Sequence, residues 1–383
     1  MTIGTTSGAH PGVRRPLSVV LAGGGTAGHT SPLIATAYEL QLAHPDIRIT
    51  AVGSTRGLET TVVPAAGLKL ELIPPVPMPR RPGTDLALVP ARLARSVAAA
   101  VDILRRVEAD VALGFGGYVS TPVYLAAKRL GVPIVIHEQN ALPGLANRLA
   151  ARLTRHVYTS FPDTRLPHSS YIGLPIRRTI TELDRAASGV EARRAFGLEE
   201  GLPTLLVSGG SQGATSINAA TVGARDQLLA HGIQVLHVLG PKNLTDQTTR
   251  VLDSQTGAAY QPLAYVERME QAYAAADLML GRCGASTVLE TAATGLPAVF
   301  VPYPHGNGEQ ARNAELVVTA GGGLLLDDAD CTAEWVGREI PALVDHPDRL
   351  VRMTAALRGV AKSDAATVLA GKTVAAIRAT KVD

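Results

Sequence analysis

Two short stretches of this sequence have the residue types and spacing to hold phosphate. The first, Gly23-Gly24-Gly25-Thr26-Ala27-Gly28, follows the apolar run LSVVLA and matches G-x-G-x-x-G ahead of a helical pattern. Glycines so placed let backbone N–H groups approach a phosphate or pyrophosphate closely. The second, Gly209-Gly210-Ser211-Gln212-Gly213, follows the run PTLLVS and offers another helix N-terminus, where unpaired amides and the helix dipole favour an anion. A nicotinamide enzyme needs one such loop and an acidic residue at the end of its second strand to hold the ribose. Here that strand end reads Gly53-Ser54-Thr55, and an NADP enzyme remains an alternative only through Arg56, which could meet a 2′-phosphate. Two loops facing one cleft suit a different reaction, in which a sugar moves from one diphosphate carrier to a substrate that itself bears a diphosphate.

The elements that must position these loops are legible as alternating β-rich runs and helical patterns, the arrangement of parallel sheets covered by helices. Strands are expected at 17–22, 47–53, 110–114, 133–137 and 156–160, and again at 204–208, 234–239, 277–280 and 298–302. Both halves begin with a buried strand, a glycine-rich turn and a helix, so the architecture is duplicated. A chain of 383 residues exceeds one ordinary core and points to two domains. We expect a flexible tail over 1–15, a first Rossmann-like domain over 16–175, a second over 176–350, and C-terminal helices over 351–383 packing back on the first.

Composition narrows the class. Hydrophobic residues make up 46% and charged residues 18%, enough apolar material for two cores. Residues 1–15 hold no apolar run and do not read as a secretory signal. Arginines and prolines interrupt every apolar segment before the roughly 18 residues of a membrane span. Two cysteines, Cys283 and Cys331, suit a reducing cytosol. The charge of +3 is mild, and without aromatic and basic interleaving no nucleic-acid partner is expected.

The run RCGASTVLETAATGLPAVFVPYPHGNGEQARNA at 282–314 is more specific. Together with GGGTAGH at 23–29, GFGGY at 114–118, HEQNALPGLANR at 137–148, GLPIR at 173–177 and GGSQGATSIN at 209–218, it resembles the MurG family. That family transfers N-acetylglucosamine from UDP-N-acetylglucosamine to lipid I, the undecaprenyl-pyrophosphoryl muramoyl-pentapeptide, giving lipid II for peptidoglycan. The resemblance implies an α/β GT-B fold of two Rossmann-like domains with parallel sheets facing across a cleft, inversion at the anomeric carbon, no obligatory metal and no cofactor. It implies donor contacts from Gly25, Thr26, Ala27, Asn140, Arg177, Ser211, Val266, the segment Ala285, Ser286, Thr287, Val288, Leu289 and Glu290, and Gln310, with the uracil near the Val266 backbone. Tyr118 and Asn218 match cleft residues on the acceptor side. The sequence departs from the pattern at Ala27 for glycine, Leu174 for asparagine, Cys283 for serine and Glu309 for glutamine; the last adds a negative charge beside the expected sugar pocket.

Transfer from UDP develops negative charge on the leaving diphosphate, which preorganised donors must stabilise. The Ser211 loop and Arg177 suit this, since a guanidinium donates two hydrogen bonds at once and stays charged; the alternative for Arg177 is an interdomain ion pair. Glu290, about one turn into a helix, can accept from both ribose hydroxyls or simply complement the helix dipole. His29, at a helix start, is the candidate general base, with Glu138 competing and Asn140 beside it able to orient the acceptor. Cys283 reads as a small buried residue rather than a nucleophile. Gln310 reads as a donor-sugar contact, otherwise a polar surface residue.

A lipid-linked acceptor requires contact with a membrane surface. The stretch 76–106 mixes Val76, Met78, Leu86, Leu88, Val89 and Leu93 with Arg80, Arg81, Arg92, Arg95, Arg105 and Arg106, suited to peripheral attachment at an anionic cytoplasmic membrane face or to an ordinary amphipathic core helix. Two rival readings remain: an epimerase of UDP-N-acetylglucosamine with the same architecture, and a non-catalytic sugar-nucleotide-binding subunit.

Overall fold

The computed structural model describes residues 15–55, 57–76, 87–245 and 248–380. Most of the expected tail, Arg56, and Met78, Arg80, Arg81 and Leu86 of the basic stretch lie outside them.

The first half forms β1 (Ser18–Ala22), α1 (Ala27–Ala43), β2 (Arg48–Ser54), α2 (Glu59–Ala65), β3 (Lys69–Ile73), α3 (Val89–Arg106), β4 (Val111–Gly114), α4 (Gly117–Leu130), β5 (Ile134–Glu138), α5 (Leu145–Ala150), β6 (His156–Thr159) and β7 (Ser169–Tyr171). Its strands lie in the order β3-β2-β1-β4-β5-β6-β7, every pair parallel. The second half follows with α6 (Arg178–Thr181), α7 (Arg185–Ala195), β8 (Thr204–Ser208), α8 (Thr215–Ala230), β9 (Gln234–Val238), β10 (Val251–Leu252), β11 (Ala259–Leu263), α9 (Met269–Ala275), β12 (Leu278–Gly281), α10 (Ala285–Thr294), β13 (Ala298–Phe300), α11 (Glu309–Ala320), β14 (Gly323–Leu325), α12 (Ala333–Val344), α13 (Pro347–Ala356) and α14 (Ala365–Thr380). Its sheet runs β10-β11-β9-β8-β12-β13-β14, parallel except where β10 meets β11. Two doubly wound sheets, each with a central strand feeding a glycine loop, make the expected GT-B architecture.

Each of the nine expected strands is present within a residue or two, because each is rich in apolar residues and is mostly buried. The sequence reading missed β3, β7, β10, β11 and β14. Four of these are sheet edges and are short or partly exposed, and β11, next to an edge, carries Gln261 and Pro262. No buried apolar run marks them.

The duplication extends to how each central strand is pinned. In the first half Asp110 N–H donates to Ser18 O at 2.8 Å while its carboxylate accepts from Ser18 N–H at 2.9 Å. In the second, Asp277 does the same to Thr204, at 2.9 Å each way. Arg15 and Arg193 pair with these two carboxylates.

The chain enters the second core early and leaves it late. Leu174, Ile176 and Leu357 pack with Val288 and Phe300, so the end of α13, which straddles the expected limit at 350, stays with the second core. Only α14 returns, setting Leu369, Ala370, Val374 and Ile377 against Val19, Leu21 and Leu33 of the first core. Glu39 ties the return: its carboxylate accepts from Arg178 Nε (2.6 Å) and Nη2 (2.9 Å) and from Thr367 Oγ1 (2.8 Å), joining α1, the start of the second half and α14. Among the described residues no helix is long and apolar enough to cross a membrane.

Candidate active site

Both glycine loops leave the C-terminal ends of central strands at the points where strand order reverses, the position at which open α/β sheets bind ligands. Helices α1 and α10 touch across the gap between the sheets. His29 stands in the first turn of α1 and Glu290 in the second turn of α10.

The first loop is organised from below. Glu59, wholly buried, accepts from Gly25 N–H at 2.7 Å through one carboxylate oxygen, and from Ser54 N–H and Oγ at 2.9 and 3.0 Å through the other. The Gly25 amide, expected to face the donor, is therefore turned inward, whereas Thr26 and Ala27 are exposed. Thr26 Oγ1 lies 3.0 Å from His29 Nδ1; with Nδ1–H donating to that hydroxyl, Nε2 carries the lone pair that can take a proton. Burial pushes the imidazole down to about 4, and the charge of Glu59 pulls it back up, so His29 is neutral at physiological pH.

Glu138, the competing base, is 2% exposed and fully engaged. One carboxylate oxygen accepts from Asn140 N–H at 2.9 Å, the other from Gly144 N–H at 3.1 Å and Asn147 Nδ2 at 2.9 Å. Asn147 in turn accepts from Tyr124 OH at 2.8 Å. Burial raises the Glu138 carboxyl above the usual range, against those three bonds, with Glu309 across the cleft adding to the rise. Its geometry shapes the loop 139–144. Tyr124 reaches its place because residue 114 is glycine: a Cβ there would sit 2.1 Å from the phenol oxygen.

In the second domain the side chains of Val288 and Leu289 belong to the core, as does that of Val266, so only their backbones are left for a ligand. Ala285, Ser286 and Thr287 form the first turn of α10. Glu290 is 7% exposed and accepts from Tyr273 OH at 2.8 Å. Burial raises its carboxyl, opposed by Tyr273 and by the nearby guanidinium of Arg177. Arg178, rather than Arg177, makes the interdomain ion pair. Arg177 Nε and Ser286 Oγ are buried without a hydrogen-bond partner among the described residues. Ser211 is half-buried in the tight second loop, where Gly213 is required: its φ is +76°, and a Cβ would lie 1.9 Å from Leu239 O. Gln310, in the first turn of α11, accepts from Tyr303 N–H at 3.0 Å through its amide oxygen.

Asn218 departs from expectation. It is 7% exposed, donates to Leu239 O at 2.9 Å and lies 3.1 Å from His237 Nε2, so both ends of its amide are committed to the chain beyond β9 and to β9 itself. Tyr118 stands 65% exposed at the start of α4. Cys283 is wholly buried and its thiol is pushed up to about 12, so it stays protonated, as a packing residue would.

Models of glycosyltransferase family 28 match this chain in two parts, the N-terminal domain over residues 19–159 and the C-terminal domain over 204–369. UDP-N-acetylglucosamine–N-acetylmuramyl-(pentapeptide) pyrophosphoryl-undecaprenol N-acetylglucosamine transferases are similar throughout. That of Cutibacterium acnes is 53% identical over 96% of this chain and 99% of its own length, and that of a Nocardioides species is 54% identical over 91% and 95%. The crystal structure of Acinetobacter baumannii MurG superposes with a TM-score of 0.73 at 25% identity, covering 94% of this chain and all of that one. The chain belongs to the MurG family. It is an enzyme, an N-acetylglucosaminyltransferase of the GT-B fold.

Two residues of this MurG-family enzyme escaped the sequence reading. Asn313, wholly buried on α11, accepts from Ala141 N–H at 2.8 Å and donates to Asn140 Oδ1 at 3.2 Å, joining the domains beside the cleft. Its signal was present: it lies one helical turn beyond Gln310. Tyr273 gave none, since an apolar stretch containing a tyrosine reads as core. In the basic stretch, α3 buries Ser96, Ala100, Val101, Ile103 and Leu104 against the first sheet. Arg106 is committed to Glu71 at 2.9 and 3.1 Å, whereas Leu88, Arg95 and Arg105 are exposed.

Proposed function

We propose that this enzyme transfers N-acetylglucosamine from UDP-N-acetylglucosamine to the muramoyl sugar of an undecaprenyl-pyrophosphoryl acceptor, lipid I, while attached peripherally to the anionic cytoplasmic face of the membrane. One observation carries the assignment of roles. Arg177 Nε and Ser286 Oγ are buried beside Glu290 with no partner among the described residues, so the polar cluster is incomplete until a ligand fills it. In that reading the uracil lies by the Val266 backbone, and Glu290 accepts from the ribose hydroxyls. Arg177, the Ser211 loop and the first turn of α10 stabilise the departing diphosphate. The Gln310 amide N–H is left to donate to the sugar. Across the cleft, His29 Nε2 takes the proton of the acceptor hydroxyl as it attacks the anomeric carbon from the face opposite UDP, which inverts the configuration. Glu138 holds Asn140 and the loop against which the acceptor lies, with Tyr118 on the rim. Exposed Leu88, Arg95 and Arg105 suit a shallow, charged contact with lipid headgroups.

The test is transfer of radiolabelled N-acetylglucosamine to a short-chain lipid I analogue. His29→Ala should lower kcat about 10² to 10⁴-fold and leave UDP affinity unchanged. Full activity in His29→Ala together with inactivity in a folded Glu138→Gln would transfer the base role to Glu138.

A further inference from the structure

The amide cradle of the first glycine loop already holds an anion, and it is part of the chain. Glu59 reaches it from the start of α2, its two oxygens taking the Gly25 N–H, the Ser54 N–H and the Ser54 hydroxyl at 2.7 to 3.0 Å. The surroundings are built to admit this carboxylate. A Cβ at Gly24 would lie 2.5 Å from a carboxylate oxygen, one at Gly57 1.8 Å, and one at Gly53 2.5 Å from the Glu59 side chain. Three glycines from two loops thus leave room for one buried side chain. All three groups it meets are hydrogen donors, so both of its oxygens must accept. A glutamine there would set an NH2 against an N–H or leave one unbonded.

We propose that Glu59 is the internal counter-anion of the first glycine loop, a positioning residue that occupies the place of a phosphate and holds Thr26 and His29 at the geometry proton transfer requires. The loop keeps the shape of a phosphate cradle, but its Gly25 amide is spent on the chain's own carboxylate. Diphosphate binding then falls to the second loop and Arg177. The same arrangement sets a negative charge behind His29, which favours the imidazolium formed as the acceptor loses its proton; the upward pull of Glu59 on that imidazole agrees with this. The inference rests on His29 as base for its consequence, and on Gly25 and Ser54 for its geometry.

The experiment compares the wild type with Glu59→Gln, Glu59→Ala and the milder Ser54→Ala. Steady-state transfer is measured, with calorimetric UDP binding to count folded donor sites in the other domain. The expected result is an unchanged UDP Kd and full stoichiometry. The kcat per site should fall about 10 to 100-fold in both Glu59 variants, since a misplacement of about 1 Å costs on that order, and severalfold in Ser54→Ala. Formate should restore part of the kcat of Glu59→Ala, by refilling the cradle, and leave the wild type unaffected. Unchanged kcat in variants that bind UDP fully would overturn the proposal, as would a raised donor KM with kcat intact. If the Glu59 variants fail to fold, Ser54→Ala decides by the same criteria. The double variant with His29→Ala separates the two readings. Glu59→Gln should add little in that background; if His29→Ala alone is fully active, the base assignment fails while the single-variant result still judges Glu59.

Discussion

Replacing Glu290 with glutamine tests the donor site most directly, because the exchange keeps shape and removes charge. Residue 290 is 7% exposed, and among the described residues its carboxylate accepts from Tyr273 OH at 2.8 Å, which leaves capacity for a ligand. A hydrogen bond to a charged group contributes about 1.5 to 3 kcal/mol. Two ribose hydroxyls therefore supply about 3 to 6 kcal/mol, and losing both in Glu290→Ala should weaken UDP binding about 10² to 10⁴-fold. Glutamine keeps one acceptor oxygen and should cost about 10 to 100-fold, with Tyr273 still satisfied and the melting temperature little changed. The pH dependence adds a second discriminant. Burial raises the Glu290 carboxyl above its ordinary value, so the folded, ligand-free protein takes up this proton more readily than the unfolded chain. As pH falls through the raised value, this group makes the ligand-free enzyme more stable while UDP binding weakens. Calorimetry of UDP as pH falls through the raised value should show Kd rising more steeply in the wild type than in Glu290→Gln, the titration of the UDP phosphate itself being common to both. A Glu290→Gln enzyme that binds UDP within threefold of wild type, with only its thermal stability altered, would refute the ribose assignment and leave Glu290 as a residue complementing the helix dipole.

Other expectations follow from single contacts. Asn313→Ala removes the bonds to Ala141 and Asn140, worth about 1 to 3 kcal/mol together; amide exchange across 139–144 should quicken and kcat fall, with UDP affinity unchanged. The Arg178 hydrogen bonds hold the Glu39 carboxyl below its ordinary value, so its stabilisation is present above that value and is lost as pH falls through the lowered one. Glu39→Gln should accordingly lower the melting temperature by a few degrees at pH 7, a small effect because Arg178 is partly solvated, and the difference should close as pH falls through the lowered value. Gly114→Ala sets a methyl 2.1 Å from Tyr124 OH and should destabilise by about 1 to 3 kcal/mol, in part relieved by Tyr124→Phe, as measured by urea unfolding. The low His29 value predicts that kcat at saturating donor shows no loss on passing through pH 6.5, where an ordinary histidine would protonate.

Local pattern carried the parts of this protein that need no distant partner. Nine mostly buried strands announce themselves by their apolar richness, both glycine loops by their spacing, and the family by six motifs in order. The placing of a residue within a motif was also legible, as Glu290 about one turn into its helix shows. Folding alone decides which of two adjacent or equivalent groups is free. Arg177 and Arg178 are neighbours with the same side chain, and Glu39, far away in sequence, selects Arg178 as the ion-pair partner. Nothing in the sequence near Glu138 says that its carboxylate is committed to Asn140, Gly144 and Asn147, which the fold brings to it. Asn218 looks like a cleft residue until the carbonyl of Leu239 claims it. Glu59 is an unremarked acid on a short helix until the fold brings it under Gly25. The reason is common to all four: local sequence sets the conformation of a segment and which groups it presents, but whether a donor or acceptor is already satisfied depends on partners brought near by folding, and an unsatisfied buried group is what a ligand meets.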